Sequence, residues 1–167
     1  DLTTTGKQEM AYEELFDAYT EQIQVLYEAG VDLLVGETLL GVTEATAILD
    51  AAASVCDLPV MCTLTVESDG SLFFGGNIYD AVETLEQMGA DAVGINCSTG
   101  PDQLLAVVKN IRSRVNIPVV IKPNAGMPVI DEKVNPVYSM DAEEFAKNMK
   151  NLVEAGANIV GGCCGTT

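Results

Sequence analysis

The sequence predicts an α/β fold in which parallel strands alternate with helices, and two observations support this prediction. Five short apolar runs are separated by segments whose apolar residues recur every three or four positions, as in amphipathic helices. A junction in which a helix ends at glycine just before an apolar run occurs three times, at Gly30, Gly89 and Gly156. Such alternation is typical of a parallel sheet with right-handed crossovers.

The predicted elements follow one another in a regular order along the chain. Strands are predicted at 31–35, 59–65, 91–96 and 118–122, and a last one begins at 159. Helices are predicted at about 9–29, about 43–55 with Thr43 as N-cap, about 79–88, from 100–102 onward, and from Asp141 to Gly156. Asp141 and Glu144 form a capping box, and residues 127–140 are predicted to be a loop.

Either a doubly wound sheet or part of an eight-stranded barrel would accommodate five such units. A whole barrel needs about 200–250 residues, more than the 167 present. Polar residues and glycines follow every strand, and in a barrel that face bears the active site. We therefore predict that residues 1–167 are the later part, about five βα units, of a (β/α)8 TIM barrel. The first strands would be absent, and we expect the fragment to be inactive and poorly stable alone.

Charge and hydropathy disfavour two classes of partner. The net charge is −17, from 25 acidic and 8 basic residues, so the surface should repel nucleic acid and anionic membranes. No apolar run approaches the roughly 20 residues that span a bilayer. We therefore expect neither a nucleic-acid partner nor a membrane partner.

The cysteine and histidine counts restrict the chemistry. An odd number of cysteines, five, without a secretory segment indicates a reducing, cytoplasmic location. The absence of histidine excludes Ser-His-Asp and Cys-His nucleophile systems within this chain. A zinc site would have to use sulfur or carboxylate ligands.

Cys97, Cys163 and Cys164 stand at the ends of two predicted strands. If both strands belong to one parallel sheet, their carboxyl ends share a face and three thiols can converge there. Catalytic zinc typically has three protein ligands and one open position, and three thiolates would keep the bound sulfur of a substrate electron-rich. That donor set suits S-alkylation better than hydrolysis. Cys56 and Cys62 lack such a setting and are predicted to be structural.

Four segments resemble the homocysteine S-methyltransferases, and most closely the homocysteine-binding barrel of the cobalamin-dependent methionine synthases. They are Gly94–Ser98, Lys122–Gly126, Gly161–Thr166, and Gly30–Leu34 followed by Glu37-Thr38. The resemblance covers nearly the whole chain, in the same order. It implies an α/β barrel in which Cys97, Cys163 and Cys164 bind zinc. The zinc would hold homocysteine as a thiolate, which attacks an activated methyl group to give methionine.

The resemblance also implies roles for polar residues near the strand ends. Glu37 would bind the α-ammonium group of homocysteine. Asn124 is a candidate for the carboxylate or amino group of the substrate, and Asn96 either contacts substrate or orients the loop or a zinc ligand. Relatives use methylcobalamin, S-methylmethionine or betaine as methyl donor. The local likeness favours methylcobalamin, which a corrinoid module outside this chain would bind.

Three other functions are compatible with parts of the pattern. Cys163 and Cys164 could form the vicinal disulfide of a thiol redox protein, although adjacent cysteines strain such a bond. Gly161-Gly162 could bind phosphate in a different barrel enzyme, but the acidic charge and the cysteines disfavour it. A structural zinc module would need a fourth protein ligand, which the strand ends do not offer.

Overall fold

The computed structural model describes residues 12–167 and contains one large and one small sheet. The strands are β1 (Leu34–Leu39), β2 (Val60–Leu64), β3 (Ala92–Cys97), β4 (Val119–Pro123), β5 (Pro128–Ile130), β6 (Pro136–Tyr138) and β7 (Ile159–Val160). The helices are α1 (Tyr12–Glu28), α2 (Val42–Val55), α3 (Ile78–Gln87), α4 (Leu105–Arg114) and α5 (Ala142–Glu154), with a 3-10 turn at Pro101–Gln103. The predicted start of the first helix at Glu9 lies outside the described residues.

The order of strands in the large sheet decides between the two architectures. The order is β1-β2-β3-β4-β7, and every neighbouring pair is parallel. Each new strand is added on the same side of the previous one, whereas a doubly wound sheet reverses direction at its switch point. This sequential order is that of a barrel wall. The predicted fold class, part of an α/β barrel, is confirmed.

The repeated glycine junction has one structural basis. Gly30, Gly89 and Gly156 follow helix ends and have φ of 83°, 96° and 115°, a region that glycine adopts without a Cβ clash. After each glycine, the next amide donates to a carbonyl five residues earlier, which closes the helix in a Schellman motif. These bonds join Val31 to Leu26, Ala90 to Leu85 and Ala157 to Leu152.

The two faces of the large sheet are packed differently. The helices cover one face and form the main core, which includes the fully buried Leu64 and Ile121. On the other face, Met61, Ala92 and Val120 form a separate small cluster, as side chains do inside a barrel. In this layer Met61 pairs with Val35 and Val120 pairs with Ile159. These two outer members are 44% and 40% exposed, because no further strand pairs beyond them among residues 12–167.

The first strand begins later than predicted. Strand β1 covers Leu34–Leu39 rather than 31–35. The Val31 amide still bonds the end of α1, and pairing with the next strand begins only where the Leu34 amide donates to the Pro59 carbonyl. Glu37 therefore lies within the strand and not after its end. The register with β2 shifts between Gly36 and Leu39, which indicates a β-bulge.

Two further predictions about local structure were wrong. Helix α2 begins at Val42 with Gly41 as N-cap, so Thr43 lies inside the helix. The predicted loop 127–140 contains the antiparallel pair β5–β6. The carboxylate of Asp131 forms the turn between them by accepting from the amides of Lys133 and Asn135.

The structure shows one half of the capping box predicted for the last helix, the bond that the Asp141 side chain accepts. The Asp141 carboxylate accepts from the Glu144 amide at 2.9 Å, and α5 follows directly. Over residues 12–167, none of the helices has both the length and the apolar character needed to traverse a bilayer.

Candidate thiolate metal site

The sulfur atoms of Cys97, Cys163 and Cys164 converge at the carboxyl end of the large sheet. All three lie within 4.8 Å of one another. The Sγ–Sγ distance is 3.9 Å both from Cys97 to Cys164 and from Cys163 to Cys164. Tetrahedral zinc with Zn–S bonds of about 2.3 Å separates its sulfur ligands by about 3.8 Å. The donor atoms and their spacing therefore fit a zinc ion.

Cys97 reaches the site through an unusual turn at the end of β3. Both Cys97 and Ser98 have left-handed backbone, with φ of 60° and 65°. The Ser98 hydroxyl accepts from the Val66 amide at 2.8 Å and lies 3.1 Å from the Thr65 hydroxyl. These contacts with the segment after β2 hold the turn in place.

Cys163 and Cys164 are positioned by the neighbouring segment after β4. The Cys163 amide donates to the Pro123 carbonyl at 2.8 Å, and the Cys164 carbonyl accepts from the Ala125 amide at 2.9 Å. The Cys164 amide donates to the side-chain oxygen of Asn124 at 3.0 Å. The cysteine pair is thus held through its own backbone groups, and none of these bonds uses a sulfur atom.

Asn124 connects the two cysteine segments. Its Oδ1 accepts from Cys164, and its Nδ2 lies 3.4 Å from the Ser98 carbonyl oxygen. The residue is only 5% exposed. Its predicted contact with substrate stays a prediction, while the observed bonds favour a role in holding the cysteine segments together.

Glu37 lies on the exposed face of β1 and forms an ion pair across the sheet. Its Oε1 is 2.8 Å from the Nζ of Lys122 on β4, and the two side chains are 42% and 18% exposed. The predicted contact of Glu37 with the α-ammonium group of a substrate stays a prediction.

Asn96 precedes Cys97 and is fully buried. Its Oδ1 accepts from the Thr38 amide and from the Thr63 hydroxyl, both at 2.8 Å. Its Nδ2 donates to the Thr38 hydroxyl at 2.6 Å. The predicted substrate contact of Asn96 stays a prediction, and the observed partners of its side chain belong to β1 and β2.

Residues 2–167 match the homocysteine S-methyltransferase family. The chain belongs to this family. Curated relatives include the methionine synthases of Mycobacterium leprae and Mycobacterium tuberculosis, each 33% identical over 172 aligned residues. The match covers 99% of this chain and 14% of either relative, so the chain spans about a seventh of their length.

Solved structures of the same fold include the homocysteine methyltransferase MmuM from Escherichia coli. Its metallated form superposes with a TM-score of 0.78 at 25% identity, over 97% of this chain and 50% of that one. The carboxyl transferase domain of Rhizobium etli pyruvate carboxylase aligns with a TM-score of 0.60 at 16% identity, over 89% and 24%. The second likeness concerns the fold alone.

The thiols of the site differ in acidity. Burial, followed by the charge of Cys163 and a hydrogen bond with Cys164, raises the pKa of Cys97 to about 11. Hydrogen bonds from Cys163 and Cys97 lower the pKa of the exposed Cys164. Cys164 therefore loses its proton before Cys97 does. Elsewhere, burial in the core raises the pKa of Cys62 to about 12, in keeping with its predicted structural role.

Sequence reasoning missed two residues, Tyr138 beside the thiols and Lys122 in the ion pair with Glu37. The pKa of Tyr138 is raised by desolvation and then by its hydrogen bond with Cys164. Tyr138 lies at the end of β6, inside the segment that was predicted to be a loop, and no local pattern pointed to it. The sequence pattern places Lys122 in a strand and indicates no role for it. The sequence signal that could have identified Lys122 is a charged residue at the end of an apolar run.

A cleft opens next to the cysteine segment. Its volume is about 470 Å³. The residues that line it include Ala125, Phe145, Gly162, Gly165 and Thr166. None of the three cysteines lines this cleft, and the sulfur cluster reaches the surface through the exposed Cys164.

Proposed function

We propose that this chain supplies the zinc-binding and homocysteine-binding part of an enzyme that methylates homocysteine to methionine. Residues 1–167 would be the later part of a barrel whose first strands lie elsewhere in a longer protein. The observation that supports this most directly is the convergence of three thiols within 4.8 Å at the carboxyl end of a barrel sheet. Membership of the homocysteine S-methyltransferase family supports the same substrate and reaction.

Cys97, Cys163 and Cys164 would bind the zinc ion as thiolates. When bound, zinc would lower the pKa of the homocysteine thiol and hold its sulfur as a nucleophilic thiolate. Among residues 12–167, no fourth Cys, Asp or Glu joins this cluster, and the chain has no histidine. This favours an open position for substrate over a structural site with four protein ligands.

Glu37 would bind the α-ammonium group of homocysteine. Its carboxylate already pairs with an ammonium group, that of Lys122, so the position is electrostatically suited to one. Asn124 would keep Cys164 and the turn at Ser98 in fixed relation, and it remains a candidate contact for the amino or carboxylate group of the substrate.

The reaction itself transfers a methyl cation equivalent. The homocysteine sulfur forms a bond to the methyl carbon while the bond between that carbon and the donor breaks, and the donor keeps the electron pair. The curated relatives are named methionine synthases. We propose methylcobalamin, bound by a separate corrinoid module, as the donor. The cytoplasmic location inferred from the cysteines also stays a prediction.

The test is zinc stoichiometry and zinc X-ray absorption on the intact enzyme, with and without homocysteine. We expect one zinc per chain with three sulfur ligands, and a fourth sulfur when homocysteine is added. Cys97→Ser, Cys163→Ser and Cys164→Ser should each lower zinc affinity by at least about tenfold and reduce activity in parallel. Cys56→Ser is the matched control, because Cys56 lies at the end of α2 outside the cluster, and it should retain zinc.

Two results would contradict the proposal. A zinc-free enzyme with full activity would exclude activation of homocysteine by a metal. A zinc ion that already has four protein ligands, sulfur or other, before homocysteine is added would indicate a structural site.

A further inference from the structure

Thr38 has a backbone conformation that its side chain disfavours. Its φ is 61°, and a β-branched residue with positive φ is a genuine outlier. It lies at the bulge where the register between β1 and β2 shifts. Such a conformation persists only when surrounding contacts determine it, and these positions cluster at functional sites.

The side chain of Asn96 supplies those contacts. It accepts from the Thr38 amide at 2.8 Å and donates to the Thr38 hydroxyl at 2.6 Å, so it binds Thr38 at two points. The Thr63 hydroxyl donates to the same Oδ1 at 2.8 Å and fixes the amide from the side of β2. Asn96 and Thr63 are both fully buried, so the bond between them is shielded from water, whereas the two bonds to the exposed Thr38 are partly buried.

The bonds from Asn96 connect two parts of the candidate site. Glu37 directly precedes Thr38, and Cys97 directly follows Asn96. Asn96 is also the register partner of Lys122, which is paired with Glu37. The distance between the carboxylate of Glu37 and the sulfur cluster therefore depends on the bonds that join Asn96 to Thr38.

We propose that Asn96 is a positioning residue that sets Glu37 at a fixed distance from the thiolate site. This rests on the proposed function, in which Glu37 binds the α-ammonium of homocysteine. The fixed distance would match a thiol amino acid with two methylene groups between sulfur and the α-carbon. Asn96 thus contributes to the recognition of homocysteine without touching it.

The test compares two thiols on the intact, zinc-loaded enzyme by calorimetry. Homocysteine has the ammonium group, and 4-mercaptobutyrate has the same thiol and carboxylate without it. We expect Asn96→Ala to weaken homocysteine binding by at least about tenfold and to change 4-mercaptobutyrate binding by less than about twofold. Zinc content should stay at the wild-type value. Thr38→Val, which removes the hydroxyl but keeps the amide, should give a smaller loss in the same direction.

A control variant separates positioning from general damage. Thr63→Val removes a bond to Asn96 but leaves both bonds between Asn96 and Thr38, and it should weaken homocysteine binding less than Asn96→Ala does. Three results for Asn96→Ala would overturn the inference. They are equal weakening of homocysteine and 4-mercaptobutyrate binding, loss of zinc, and unchanged homocysteine binding. If Asn96→Ala does not fold, Thr38→Val decides: a selective loss of homocysteine supports positioning, and its absence overturns it.

Failure of this inference can be told from failure of the proposed function. A wild-type enzyme that binds zinc but not homocysteine would refute the function itself. Glu37→Gln should weaken homocysteine selectively over 4-mercaptobutyrate if the ammonium is bound there. When Glu37→Gln shows this selectivity and Asn96→Ala does not, only the positioning role is lost.

Discussion

Individual residues in the sulfur cluster differ because their surroundings differ. Cys97 is partly buried at the end of β3, and its pKa is raised to about 11. Cys164 is exposed and accepts hydrogen bonds from the other two thiols, which lowers its pKa. In the absence of metal, the cluster therefore keeps protons at neutral pH that metal binding must release.

Zinc affinity should consequently rise with pH. The Cys97 thiol is protonated below its raised pKa, so each step to higher pH lowers the cost of removing its proton. We expect the apparent zinc affinity to increase by up to about tenfold per pH unit for each proton released. Competition with a chromophoric chelator on both sides of neutral pH measures this, and calorimetry in buffers of different ionisation enthalpy counts the protons. Zinc affinity that is independent of pH would contradict it.

Among the secondary-structure elements, β3 and β4 place most of the site. They are paired from Val93 to Cys97, with Cys97 opposite Pro123. Gly94 lies in the middle of β3, and a Cβ added there would overlap the backbone carbonyl of Val120 on β4. The close approach of the two strands therefore requires glycine at this position.

Gly94→Ala should separate β3 from β4 and disturb the site at their ends. We expect the free energy of unfolding to fall by at least about 3 kcal/mol, because the clash is with backbone that cannot rotate away. Chemical denaturation followed by circular dichroism measures the loss, and zinc content should fall with it.

Gly41→Ala is the matched control for Gly94→Ala. A Cβ at Gly41 would meet nothing closer than the Cβ of Phe74 at 3.9 Å, and its φ of −159° suits any residue. As an N-cap change, it should cost no more than about 1 kcal/mol. If both variants lowered the free energy of unfolding equally, the close approach of β3 and β4 would not be the reason that Gly94 is needed.

At the scale of the whole molecule, the barrel wall has two unpaired edges among the described residues, β1 and β7. Val35 and Ile159, at the two ends of the inward-facing layer, are 44% and 40% exposed. The hairpin β5–β6 also exposes apolar side chains, including Ile130 and Val134. Open strand edges and exposed apolar surface favour self-association.

Residues 1–167 expressed alone should therefore self-associate and bind an apolar dye. A longer chain that completes the barrel should do neither, because additional strands would pair with β1 and β7 and cover the inward-facing layer. Light scattering after size exclusion and dye fluorescence compare the two. If residues 1–167 were monomeric, bound no dye and unfolded cooperatively, the proposed incompleteness of the barrel would be refuted.

The chain's local pattern was sufficient to predict the α/β class, the alternation of five strands with helices, and the strand ends at which the cysteines stand. These features depend on short-range rules. Apolar periodicity distinguishes helix from strand, and Gly30, Gly89 and Gly156 end helices because glycine adopts positive φ at little cost. Cys97, Cys163 and Cys164 were candidates because parallel strands place their carboxyl ends on one face.

Tertiary structure decided what local rules could not. Strand β1 took its register from pairing with β2, and the turn of the β5–β6 hairpin formed around the side chain of Asp131. The partners of Asn96 were not predictable, because Asn96 and Thr38 are 58 residues apart in sequence. The same holds for the ion pair between Glu37 and Lys122. Periodicity reports which face a residue occupies, whereas hydrogen-bond partners depend on the distances that only the folded sheet establishes.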